Sequence, residues 1–61
     1  MNNAERALMR HMLMYILTVK EWEFEADNAS EIRFILGNRE IMTANMSGEE
    51  IEKILEEVIR W

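Results

Sequence analysis

The sequence predicts an α+β domain in the order αβββα: a three-stranded antiparallel meander with two helices on one face. Three observations carry that prediction. Residues 47–61 hold a helical stripe, with Ile51, Ile54, Leu55, Val58 and Ile59 at i, i+3, i+4, i+7 and i+8. Residues 31–44 read as two short strands around Gly37-Asn38, a two-residue hairpin signal. Residues 20–26 alternate, Trp22, Phe24 and Ala26 against Glu21, Glu23 and Glu25, as a half-buried strand does. Such a sheet needs cover on one face only, and the two helices supply it. Residues 1–61 are expected to form a single domain.

The first helix is expected over Ala4 to Leu17, a run rich in Ala, Leu, Met, Arg and Glu. Asn2 or Asn3 suits its N-cap, and Asn2 with Glu5 has capping-box spacing. Ala4, Leu8, Met12 and Tyr15 or Ile16 make one stripe, taken as the face toward the core. Leu13, Met14 and Leu17 fall outside that stripe, so the second half is apolar nearly all round. The end of the helix is poorly marked, because no Gly, Pro, Asn or Asp occurs between Ala4 and Ala26. Thr18 and Val19 are β-branched and weaken it. A rival reading starts the strand near Met14, but its alternation changes faces around Lys20 and requires a bulge.

Asp27-Asn28-Ala29-Ser30 is a turn by composition. The hairpin register sets Phe34 opposite Ile41, Ile32 opposite Thr43, and Arg33 opposite Met42. Ser47 then caps the last helix, and Glu50 completes a capping box that satisfies two backbone donors. Glu49 and Glu50 favour the positive end of the helix dipole, and Arg60 the negative end. Trp22, Phe24, Ile32, Phe34, Leu36 and Ile41 are expected to face the helices.

Composition narrows the function classes. A chain of 61 residues buries only about 60% of its unfolded surface, and small domains commonly add disulfides, metals or oligomerisation. There is no Cys and one His, so thiolate metal sites and disulfides are excluded and self-association is the remaining support. His11 falls on the polar arc of the first helix, without the second ligand a metal site needs. Net charge is −5, unevenly spread. Residues 1–20 carry three cations against one acid, and residues 21–61 four cations against eleven acids. That acidity disfavours direct binding of nucleic acid and suits a basic protein partner. The apolar run Met12 to Leu17 is too short to span a membrane, and no leader sequence is evident, so a cytoplasmic protein is expected.

Two surfaces stand out. Glu21, Glu23 and Glu25, with Glu31 and Glu40 beside them and Ile35 and Met42 among them, would form an acidic row on the open face of the sheet. Alternate residues on a strand lie roughly 7 Å apart, so the row would be rigid. It reads either as a docking face for a basic groove or as a solvated face whose charges block edge pairing. Met9, Leu13, Met14 and Leu17 on the first helix are the expected dimer interface, since Met suits adaptable apolar surfaces. No cofactor and no catalytic constellation is expected. The carboxylates are expected on an open face or a solvated helix, not in a cleft that would suit them to acid–base work.

The element order αβββα is that of double-stranded-RNA-binding domains, in which a basic cluster opens the second helix. Here that position reads Gly48-Glu49-Glu50, which repels phosphates. The same order, with the acidic strand Lys20 to Ala26, the hairpin around Gly37-Asn38 and the helix from Ser47, resembles small acidic phage anti-CRISPR proteins. The resemblance spans the chain in topology, size and charge. It implies a non-enzymatic inhibitor that mimics DNA and blocks the nucleic-acid-binding groove of a Cas nuclease complex. The alternative is a structural or regulatory homodimer with no such target.

Overall fold

The computed structural model describes residues 3–27 and 31–61. The expected cap at Asn2 and the turn residues Asn28, Ala29 and Ser30 lie outside them. Helix α1 spans Asn3–Val19, strands β1, β2 and β3 span Phe24–Ala26, Ile32–Leu36 and Arg39–Met42, and helix α2 spans Gly48–Arg60. The sheet is antiparallel in the order β1-β2-β3, so the predicted α+β meander is the fold. Its core joins Ile32, Phe34, Leu36 and Ile41 of the sheet to Leu13 and Leu17 of α1 and to Ile51, Leu55 and Val58 of α2.

The hairpin register is the one its turn dictates. Arg33 faces Met42 and Phe34 faces Ile41, with Gly37 at φ +65° in the left-handed region that glycine enters at least cost. Thr43, just past β3, extends the ladder by unusual means. Its N–H donates to the Ile32 carbonyl at 3.0 Å, and its hydroxyl accepts from the Ile32 N–H at 2.9 Å. The hydroxyl thus stands in for a strand carbonyl, which is how a threonine can be fully buried here.

Helix α2 is built as its sequence requires. The Ser47 side chain accepts from the Glu50 N–H and the Glu50 carboxylate accepts from the Ser47 N–H, both at 3.2 Å. Ile51, Leu55 and Val58 are buried and Ile54 is half-buried. Ile59 is the exception: it turns outward, because the stripe is wider than the surface it covers. Trp61, whose role the sequence leaves open, folds back over the hairpin. Its ring lies 3.2 Å from where a side chain on Gly37 would begin, and it meets Trp22 edge to face at 6.0 Å. Trp22 also lies against Phe34, at 6.4 Å.

Helix α1 corrects the sequence reading in two ways. First, its faces are reversed. Leu13 and Leu17 are wholly buried in the core of the single chain, and Met9 and Met14 are half-buried against that core. They do not form an outer dimer surface, and of the stripe expected to face the core Ala4, Leu8, Met12 and Tyr15 point outward, while Ile16 alone packs against the core. The reason lies in Arg6 and Arg10, which precede Leu13 and Leu17 on the inner face at helical spacing. Arg6 Nε donates to the Met46 carbonyl at 2.8 Å, and its Nη2 donates to the carbonyls of Thr43 at 2.7 Å and Ala44 at 3.3 Å. Arg10 Nη2 donates to the Asp27 carbonyl at 2.8 Å. Their aliphatic stems run over the core edge while their heads bind loop carbonyls. An inner face that opens with two arginines reads as polar in the sequence.

Second, the strand expected from Lys20 is shortened to Phe24–Ala26. The helix runs to Val19, and Glu21 then takes φ +60°. The Glu21 N–H donates to Thr18 O at 3.1 Å and the Trp22 N–H to Leu17 O at 3.0 Å. These two bonds define a Schellman ending, with Glu21 where glycine is usual. Glu21 therefore belongs to a helix cap and not to the strand.

Candidate functional site: the open face of the sheet

Strand alternation sends every second side chain away from the helices. On β2 these are Arg33 and Ile35, on β3 Glu40 and Met42, and on β1 Glu25; all five are exposed. Pairing places Glu25 opposite Arg33, Arg33 opposite Met42, and Ile35 opposite Glu40. Glu23, just before β1, is exposed too, and Glu31 is half-buried just before β2. Of the seven residues the sequence assigns to this face, the structure brings together Glu23, Glu25, Glu31, Glu40, Ile35 and Met42. It removes Glu21, because the helix cap carries it off the sheet.

Arg33 is absent from the residues that the sequence assigns to the site, yet its pairing with Met42 and Glu25 puts it at the centre of this face. Its Nε donates to Glu31 Oε1 at 3.0 Å. That hydrogen bond, then the Glu31 charge, hold the Arg33 proton more tightly than usual, and Glu25 and Glu40 add to the effect. The sequence carries a signal for it: Glu31, just before β2, and Arg33 are two residues apart along the chain, the spacing that puts extended residues on one face. The surface is thus an acidic rim around one fixed guanidinium, with Ile35 and Met42 as apolar patches between. A shallow depression of about 800 Å³ is lined by Glu23, Glu25, Arg33, Ile35 and Glu40 together with Trp22, Phe24 and Phe34.

This arrangement can present charge: Glu23, Glu25 and Glu40 are exposed, and Glu31 is half-buried and paired with Arg33. Among the described residues, no group of three His, Cys, Asp or Glu side chains is placed to hold a metal ion. No helix among them is long and apolar enough to cross a membrane. In comparisons with known proteins, no family model, no curated protein and no solved structure matches the chain.

Proposed function

We propose that this protein is a non-enzymatic interaction module of the cytoplasm, an inhibitor of the phage anti-CRISPR type. In this reading its open sheet face docks into a basic, nucleic-acid-binding groove of a partner and excludes DNA from it. One observation carries the reading: the face opposite the helices is left uncovered, and Glu23, Glu25, Glu31 and Glu40 surround Arg33, Ile35 and Met42 on it. Fixed charges on a sheet steer a basic partner and set its register. The two apolar side chains supply the desolvated centre that a docking surface needs. Arg33 gives the partner one acidic group to match, which a uniform acidic surface lacks.

Competition with DNA for Cas effector complexes and other proteins with basic grooves tests this. The variant Glu23→Gln, Glu25→Gln, Glu40→Gln removes three charges from the rim and leaves the Glu31–Arg33 pair intact. The variant Glu49→Gln, Glu52→Gln, Glu56→Gln makes the same change in net charge on α2. Inhibition of DNA binding should weaken with salt, since exposed charges are screened over about 8–10 Å. It should fall at least tenfold in the sheet variant and little in the helix variant. Equal losses would mean that net charge alone acts, and no loss in either would refute the acidic face as the site.

The second reading, a structural or regulatory homodimer, is favoured by a separate observation: the apolar stripe that α1 turns away from the core.

A further inference from the structure

Helix α1 carries two stripes of the same spacing on opposite sides. Arg6, Arg10, Leu13 and Leu17 face the core. Leu8, Met12, Tyr15 and Val19, each two residues further on and so about 200° round the helix, face away from it. The outer four are 55, 43, 68 and 60% exposed. Their steps of four, three and four are those of a coiled-coil seam. We propose that this outer face binds a second copy of the chain, with the two α1 helices antiparallel across a twofold axis.

Two features select that occupant and that direction. The spacing is a palindrome. An antiparallel copy therefore sets Leu8 against Val19 of the second copy, and Met12 against Tyr15, with each apolar side chain meeting another. The charges at the two ends are complementary. Glu5 flanks the N-terminal end of the stripe and Lys20 follows its C-terminal end, so an antiparallel pair brings each Glu5 toward Lys20 of the second copy. A parallel pair would oppose like with like. Antiparallel helix dipoles are favourable as well.

The seam is roughly 16 Å long, eleven residues of helical rise. That is at the low end for a specific interface, so the dimer forms at high micromolar concentration and exchanges quickly. It leaves the open sheet face of each copy uncovered. The inference is independent of the function proposed for that face, and a dimer presents two such faces.

Sedimentation equilibrium over a dilution series tests it. The average mass should climb from 7.3 kDa toward twice that value as concentration rises. Met12→Glu and Tyr15→Lys should each move the midpoint at least tenfold upward. Both sites are exposed, so far-UV circular dichroism and thermal melts on dilute samples should match wild type. The double variant should recover dimerisation, because across the antiparallel pair each introduced acid faces an introduced base. In a parallel pair the introduced acids would face each other. Three outcomes overturn the proposal: a single-chain mass at all concentrations, a dimer indifferent to both single variants, or a double variant no better than the singles.

Discussion

The two helices of this protein reach the same core by different degrees of instruction. Helix α2 has one apolar stripe, an acidic opposite face and a capping box, so one orientation alone buries Ile51, Leu55 and Val58. Helix α1 has two stripes of equal spacing and a solvent face that is as apolar as its core face. Amphipathicity orients a helix only by contrast between its sides. Where the contrast is missing, tertiary partners decide. For α1 those partners are the carbonyls of Thr43, Ala44, Met46 and Asp27, which accept from Arg6 and Arg10.

The sharpest test of this contrast is a pair of leucine truncations on α1. Leu13→Ala should cost about 2–5 kcal/mol, the range for a leucine deleted from a packed core. Leu8→Ala, on the outer stripe, should change stability by less than about 0.5 kcal/mol. Urea unfolding of both variants, at concentrations low enough to keep the chain monomeric, measures the difference. Equal losses would mean that the inner and outer faces of α1 have been assigned wrongly.

A smaller effect separates the helix ends. Ser47→Ala removes the side-chain acceptor for the Glu50 N–H and should cost roughly 0.5–2 kcal/mol in the same assay. Ser47→Asp should retain most of that stability. If alanine and aspartate behave alike at this position, the cap contributes nothing.

The smallest effect has the opposite sign. Glu21 ends α1 in a left-handed conformation that glycine adopts without strain. Glu21→Gly should therefore stabilise the fold by up to about 1 kcal/mol, since relief of the left-handed strain outweighs the freedom glycine adds to the unfolded chain. A lower midpoint in denaturant would show that the Glu21 side chain contributes more than its backbone strain costs.

What was legible in the sequence was local. Gly37-Asn38 set the hairpin, and the hairpin set which of Arg33, Phe34, Ile35, Glu40, Ile41 and Met42 faces out. Ser47 and Glu50 set the start of α2, and period-two alternation placed the open face of the sheet. What was not legible depended on distant chain. Arg6 meets Thr43 across 37 positions, and no pattern near Arg6 announces an inward arginine. The end of α1 was hidden because a glutamate occupies the place where glycine would have marked it, and this error carried Glu21 onto the acidic row. Arg33 was visible as an outward residue, but its central position became clear only once Glu25, Glu31 and Glu40 were set around it.

The aromatic residues divide the molecule into two optical compartments. The chain has two tryptophans and one tyrosine. Both indoles lie in one cluster, 6.0 Å apart, where the end of α2, the hairpin and the exit from α1 converge. The phenol of Tyr15 stands alone on the outer face of α1. Tryptophan emission and the near-ultraviolet dichroism of the indole pair thus report whether those three segments have closed on one another. Tyrosine absorbance reports the surroundings of α1's outer face. Without any label, the native chain supplies one signal for folding and a second, separable one for whatever covers that helix.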